Sequence, residues 1–172
     1  MAERTIWFMY QMVQKGWWAV VQLHVEAEAT AKASPETVWA LVSDATRYPS
    51  WGPWSDGRYE KDGETTPHGV GAVQVLRSAQ RYLGRHSTSV ERILEAEEGR
   101  RLAYTVIRGI PVRNYRGEVT LTPAADGTRI TWAATWDNTM LGRVAWRGLR
   151  TFFPEMMTGL VAAAERDASH SP

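Results

Sequence analysis

Apolar and polar residues alternate along most of the middle of the chain, which is the pattern of strands that bury one face. The stretch "LHVEAEATAKA", from Leu23 to Ala33, alternates first. Further alternating stretches follow between Trp54 and Asp137, separated by short turns such as Asp126-Gly127. Short turns between consecutive strands favour antiparallel pairing. The pattern therefore predicts one strand, then roughly six strands in hairpin succession.

Two short helical segments are predicted between the first strand and the rest. Ser34 is a typical N-cap residue, and Pro35 suits the first position of a helix. The helix that follows carries an apolar face made of Val38, Trp39, Leu41 and Val42. A second short helix or turn is expected from Thr46 to Trp51.

A long helix is predicted from Thr139 to about Asp167, because apolar residues recur there at helical spacing. The stripe contains Leu141, Val144, Ala145, Leu149, Phe152, Met156, Leu160 and Ala163, and it is widened by Trp146, Phe153, Met157 and Val161. Pro154 is expected to kink or loosen this helix. Such a wide apolar face needs a curved partner, and the preceding strands supply a sheet.

The most apolar stretch near the start of the chain runs from Ile6 to Leu23. Polar residues and a glycine at positions 11 and 14–16 interrupt it, so it falls short of a membrane span. It lacks a small-residue cleavage site, which disfavours a secretory signal. We expect an extension over residues 1–22, with a helix from Glu3 to Gln14 packed on the domain formed by residues 23–170. A dimer contact or a membrane-surface anchor is the alternative.

Composition narrows the possible functions. The net charge is +1 with charges of both signs interspersed, so no nucleic-acid partner is expected. The chain has no cysteine, which excludes disulfides, thiol nucleophiles and cysteine metal sites. We expect a cytoplasmic protein without an integral membrane segment, either a monomer or a homodimer. The nine tryptophans are unusual, since each supplies a large, stiff apolar surface with one polar N–H group.

Several motifs together resemble a known superfamily. They are "ASPETVWALVSDATRYPSWGPW", "HGVGAVQVL", "VERILEAEEGRRLAYTV" and "GEVTLTPAADGTRITW". Their order and spacing, from about Val25 to Ala168, resemble the START/Bet v 1-like (SRPBCC) superfamily, and within it the polyketide cyclase/dehydrase and lipid transport group. The resemblance implies an α+β helix-grip fold. In that fold a curved antiparallel sheet of about seven strands wraps a long C-terminal helix, with two short helices after the first strand.

The resemblance also implies a deep cavity between the sheet and the long helix. If the strands alternate regularly, Tyr104, Tyr115, Trp132 and Trp136 face that cavity. The stretch "TRYPSWGPW", from Thr46 to Trp54, would form an aromatic rim, or it would only seal the edge of the sheet. The residues predicted to line the cavity are Trp51, Trp54, Val73, Tyr104, Val106, Tyr115, Trp132, Trp136, Leu149, Phe153, Met156 and Met157.

Strong catalytic motifs are absent from the sequence. The four histidines do not have metal-ligand spacing, and no cofactor or metal is expected. The candidates for catalysis are Arg108, Tyr104, Tyr115 and Glu91. Strand parity places Arg108 on the apolar face, where Glu91 would be its partner, whereas a position just past the strand end would leave it in solvent.

Three functions remain open. The chain would bind or carry a hydrophobic small molecule, such as a lipid, isoprenoid or polyketide. It would instead catalyse aldol cyclisation and dehydration of a polyketide chain, as an aromatase/cyclase, or it would dock another protein through its aromatic N-terminal segment. The polar content of the cavity distinguishes the first two, because a cyclase needs a titratable group within reach of its substrate.

Overall fold

Seven antiparallel strands form one curved sheet in the computed structural model, which describes residues 21–82 and 85–170. The strands are β1 (Gln22–Ala31), β2 (Trp54–Lys61), β3 (Val73–Tyr82), β4 (Arg85–Glu97), β5 (Arg101–Arg108), β6 (Arg116–Ala124) and β7 (Gly127–Asp137). Their spatial order is β1-β7-β6-β5-β4-β3-β2, so each strand from β2 to β7 pairs with its sequence neighbour. The helix-grip architecture predicted from the sequence is confirmed.

Because β1 pairs with β7, the strands β1 and β2 lie at opposite edges of the sheet. The chain crosses between those edges through α1 (Pro35–Val42) and a 3-10 helix (Ala45–Ser50). The Ser34 side chain caps α1 by accepting a hydrogen bond of 3.2 Å from the Thr37 amide, as the sequence predicted. α1 contacts β6 and β7 while the 3-10 helix contacts β2 and β3, so the two short helices close one end of the sheet.

The C-terminal helix α2 (Met140–His170) is continuous through Pro154 and packs mainly against β1 and α1. Its fully buried residues lie mostly in the second half. The first half differs from the predicted apolar stripe, because Leu141 and Val144 are exposed, as is Met140 at 82%. The sheet therefore grips α2 chiefly through its C-terminal half.

Both faces of the sheet bury apolar residues, but to very different extents. The face toward α2 carries the main core, which includes Ile93, Leu102, Val119, Ile130 and Leu160. A separate small cluster of Val73, Val75 and Val90 lies on the other face of β3 and β4. A ligand enclosed by the sheet and α2 would therefore meet the first set of residues.

The predicted helix from Glu3 to Gln14 lies outside the described residues. The described chain begins beside α2, where the Val21 carbonyl accepts a hydrogen bond of 2.9 Å from the Asn138 amide. No helix in residues 21–82 or 85–170 is long and apolar enough to cross a membrane.

Candidate ligand-binding site

Four aromatic side chains predicted to face the interior lie together on β5, on β7 and at the residue just before β6, and they are buried. The indole N–H of Trp132 donates a hydrogen bond of 3.0 Å to the Tyr104 hydroxyl. The rings of Tyr104 and Tyr115 are 6.0 Å apart, and Tyr115 stacks on Trp136 at 5.9 Å. Alternation along paired strands brings these side chains to one face, and the aromatic patch is continuous as a result.

Gly117 explains how Tyr104 lies flat against the sheet. Tyr104 and Gly117 are directly paired between β5 and β6. A Cβ atom at position 117 would lie 2.3 Å from the Tyr104 ring. The glycine therefore leaves the space that the phenol ring occupies, and a larger residue there would push the ring into the interior.

A carboxyl group lies inside the fold next to these aromatic rings. Gln74 and Glu91 are direct partners between β3 and β4, so their side chains share the inner face. The Gln74 amide donates to Glu91 Oε2 at 2.9 Å, and the Ser89 hydroxyl donates to Oε1 at 2.7 Å. Each oxygen of the buried carboxyl is thus held by one neutral donor.

The surroundings of Glu91 favour its neutral form. Burial raises the pKa of the Glu91 carboxyl, while the hydrogen bonds from Ser89 and Gln74 oppose that rise. Burial also raises the pKa of Tyr104 and of Tyr115, and the nearby Glu91 carboxyl contributes to both shifts. The interior therefore disfavours negative charge on any of these three groups.

The aromatic side chains of the stretch from Thr46 to Trp54 are buried at the end of the sheet that the two short helices close. The Tyr48 ring lies 4.8 Å from Trp51 and 4.9 Å from Trp54. Trp51 reaches Trp132 at 6.3 Å, so the stretch is continuous with the aromatic patch on the sheet. All three rings are buried, and Tyr48 donates to the Val42 carbonyl at 2.8 Å. The three rings therefore cover one end of the sheet and also form part of the lining of the interior.

The helix supplies the opposite wall. Phe153, Met156 and Met157 are buried in the main core, and Leu149 packs against it while half-buried. The Phe153 ring lies 6.5 Å from Trp132. Val106 on β5 is likewise partly buried against the core. These predicted lining residues therefore belong to the interior between the sheet and α2.

Arg108 lies outside this interior, and a β-bulge is the reason. Glu91 pairs with Val106, whereas the adjacent Val90 pairs with Arg108, so Ile107 is an extra residue on β5. The bulge turns Arg108 to the outer face beside Val90. There its 64% exposed side chain forms an ion pair of 2.9 Å with Glu60. Of the two positions that the sequence left open for Arg108, the structure has the solvent-exposed one, so Arg108 does not pair with Glu91 and is not an interior residue.

Val73 is a second residue whose position corrects the sequence-based assignment. It lies on the outer face with Val75 and Val90, while its polar neighbour Gln74 points inward. Val73 was predicted from the sequence to be one of the cavity-lining residues. Here the polar side chain is the buried one, because Glu91 satisfies its amide.

Gln74, Ser89 and Tyr48 belong to the interior polar cluster but were not predicted as site residues. Gln74 donates to Glu91 and lies near the Tyr48 hydroxyl, which itself donates to the Val42 carbonyl. The available signal was a single glutamine in the apolar run "AVQVL", opposite a glutamate in the next alternating strand. Pairing the two required the register between β3 and β4.

Two open depressions are lined by described residues, and both lie outside the aromatic interior. One, of about 480 Å³, is formed by Pro111, Val112, Arg113, Thr139, Met140 and Leu141, beside the start of α2. The other, of about 440 Å³, is lined by the β4–β5 turn, by residues 120–123 of β6 and by the start of α1. Within the part of the chain that the structure describes, no group of three His, Asp or Glu side chains is placed to hold a metal ion.

The family model described as polyketide cyclase/dehydrase and lipid transport matches residues 22–167. No curated protein matches this chain in sequence. Among solved structures, a protein from Thermus thermophilus is 18% identical, with a TM-score of 0.68 over 87% of this chain and 100% of its own. The Bacillus cereus protein XoxI is 19% identical, with a TM-score of 0.65 over 86% and 99%. Ara h 8.0201 is 16% identical, with a TM-score of 0.64 over 88% and 100%. These similarities show the fold.

Proposed function

The chain belongs to the polyketide cyclase/dehydrase and lipid transport family, and we propose that it binds a hydrophobic small molecule between the sheet and α2. The observation that carries this proposal is the aromatic inner wall. Tyr104, Tyr115, Trp132 and Trp136 form a continuous surface there, with Phe153 opposite. Small-molecule sites are commonly lined by apolar and aromatic side chains with a few placed polar groups.

The inner wall keeps small accessible surfaces. Glu91 retains 7% exposure and Tyr104 and Tyr115 retain 6% each, although all three lie on the inner face. Trp136 and Leu160, at 0%, are fully closed by their neighbours. Trp51 at 6% and Trp54 at 9% keep similar small exposures, whereas Gln74 at 1% is closed. The residual accessible surface therefore follows the aromatic wall, and an apolar ligand with one polar group would be placed along it, beside Glu91.

Access to the interior is expected from the start of α2. Met140 and Val144 are exposed apolar residues, and the depression that includes Met140 and Val112 lies beside them. The first half of α2 is held by two indole N–H groups: Trp136 donates to the Gly142 carbonyl at 3.1 Å, and Trp146 donates to the His24 carbonyl at 3.0 Å. Displacement of the exposed first turn of α2, at Met140 and Leu141, would open the interior at this end.

Native mass spectrometry of the purified protein tests the proposal, followed by denaturing extraction and identification of any bound molecule. A bound apolar molecule at close to one per chain is the expected result. The Tyr115→Trp variant, which fills the interior, should reduce the bound fraction. Retention of the same ligand by Tyr115→Trp at full occupancy would place the binding site elsewhere and contradict the proposal.

A polyketide cyclase/dehydratase is the second candidate, and the buried Glu91 carboxyl favours it. A cyclase needs a group that exchanges a proton beside its substrate, and Glu91 is a titratable side chain on the inner wall. Incubation with a polyketide-like chain should then give a cyclised product that Glu91→Gln fails to form. Equal turnover by wild type and Glu91→Gln would remove Glu91 from the chemistry.

A further inference from the structure

The ion-paired side chains of the sheet lie on its outer face, whereas Glu91 lies on the inner face. On the outer face of β4, β5 and β6, Arg101 and Arg116 each bridge Glu95 and Glu118, over distances of 2.7 to 3.4 Å. Arg108 is also outside, paired with Glu60. Glu91 forms no ion pair with any described side chain. The arginines of β5 and β6 therefore do not neutralise the buried carboxyl.

The groups that face Glu91 are uncharged donors and phenols. Two of them are hydrogen-bond donors, Gln74 from β3 and Ser89 from β4. The others are the phenols of Tyr104 on β5, Tyr115 just before β6, and Tyr48 on the 3-10 helix, which lies near both Gln74 and Glu91. A carboxylate buried among such groups without a cation is unfavourable. The neutral acid is the form that this environment stabilises.

The hydrogen bonds also determine where the proton of the neutral acid lies. Oε2 accepts the Gln74 N–H and therefore acts as the carbonyl oxygen. The proton is then on Oε1, 2.7 Å from the Ser89 hydroxyl, which can either accept that proton or donate to a lone pair of Oε1. When Ser89 donates, the acid proton is available to a third group.

We infer that Glu91, held by Gln74 and Ser89, donates a hydrogen bond to the carbonyl oxygen of an uncharged apolar ligand. This inference rests on the proposed function, and it specifies the chemical class of the ligand. A carbonyl oxygen accepts a hydrogen bond from the acid, and its apolar remainder packs on the aromatic wall. A fatty-acid carboxylate would place a second negative group beside Glu91 with no cation to balance it, so the site discriminates against it.

Binding of four ten-carbon probes to the full chain tests this assignment: a methyl ketone, the carboxylate, the primary amine and the alkane. Tryptophan fluorescence reports affinity, and the ketone carries carbon-13 at its carbonyl, whose NMR shift reports the hydrogen bond. The ketone should bind most tightly, and its carbonyl signal in the wild-type complex should lie downfield of the signal in the Glu91→Leu complex. Glu91→Leu should weaken ketone binding about tenfold, since one neutral hydrogen bond is lost, and leave alkane binding unchanged.

Two further variants keep the test decisive. Glu91→Gln retains an N–H donor and should keep ketone affinity within a few-fold of wild type, which covers the case in which Glu91→Leu fails to fold.

Glu97→Leu removes the same group from the exposed end of β4 and should bind all probes as wild type does. Tighter binding of the carboxylate or the amine overturns the inference while hydrophobic binding stands. The same carbonyl shift in the wild-type and Glu91→Leu complexes overturns it as well. Failure of all four probes to bind overturns the proposed function itself.

Discussion

Gly159 of α2 lies directly against the carbonyl oxygen of Trp51, so that a Cβ atom at position 159 would be 1.9 Å from that oxygen. This contact joins the C-terminal half of α2 to the aromatic stretch from Thr46 to Trp54. Backbone atoms cannot move aside as a flexible side chain can. The close approach of α2 to the residues around Trp51 therefore depends on the missing side chain at position 159.

Gly159→Ala should destabilise the protein, although alanine is the better helix former. Alanine favours an exposed helix by about 1 kcal/mol over glycine, but the collision with Trp51 should cost more than that, about 1–3 kcal/mol net. Urea denaturation measures the change. Gly148→Ala is the matched control, because nothing lies within 4 Å of its Cβ position in the same helix. That variant should be up to about 1 kcal/mol more stable, and a gain of stability in both variants would disprove the contact.

Trp132→Ala should cost about 3–5 kcal/mol of stability, because Trp132 is fully buried between Trp51 and Phe153. Trp132→Phe keeps most of the apolar surface and loses the donor to Tyr104. It should cost less, with about 1 kcal/mol from the lost hydrogen bond. Guanidinium unfolding monitored by circular dichroism gives both values. An unchanged stability in Trp132→Ala together with lost ligand binding would mark Trp132 as a lining residue rather than a core residue.

Arg108→Ala should leave both stability and ligand affinity close to wild type. Its ion pair with Glu60 is exposed, and such pairs contribute at most about 1 kcal/mol. Thermal unfolding and binding of the ten-carbon ketone measure the two effects. Glu60→Ala serves as the control for the pair, and the double variant should match either single variant. A loss of ligand binding in Arg108→Ala alone would place the guanidinium at the site after all.

The sequence predicted the order of elements well because hairpin turns and helix caps are local signals. Ser34, Pro35 and the Asp126-Gly127 turn all act as expected, with β6 ending at Ala124 and β7 beginning at Gly127. The aromatic wall was also predictable, because β6 and β7 pair without a break from Arg116 to Ala124. Simple alternation holds along such strands.

Strand parity failed where pairing is irregular or where polarity is reversed. The extra residue Ile107 moves Arg108 to the outer face, and a bulge of this kind leaves no clear mark in a single sequence. Val73 is outside because the buried position of β3 is taken by Gln74. Recognising Gln74 as an inner residue required knowing that Glu91 lies opposite, which is a fact about register between strands.

The pH dependence of stability provides a test of the buried carboxyl that needs no ligand. Burial raises the pKa of Glu91 in the folded protein above its unfolded value of about 4.3. Below that value both states hold the proton and the folded state is not penalised. As the pH rises from there through the folded pKa, the unfolded state loses its proton first, so the stability of the folded protein falls. Glu91→Gln remains neutral and avoids this loss.

Glu91→Gln should therefore gain stability relative to wild type as the pH is raised from acid to neutral, measured by urea denaturation at a series of pH values. Glu118→Gln is a control with the opposite sign, because hydrogen bonding from Arg101 lowers the pKa of Glu118. Glu118 contributes stability above its unfolded pKa and loses that contribution as the pH falls through its lowered folded value. The deficit of Glu118→Gln should then be present at neutral pH and close on acidification. Parallel pH curves for Glu91→Gln and wild type would show that the Glu91 carboxyl is not held neutral by its surroundings, and the assignment of Glu91 as a hydrogen-bond donor to ligand would fail with it.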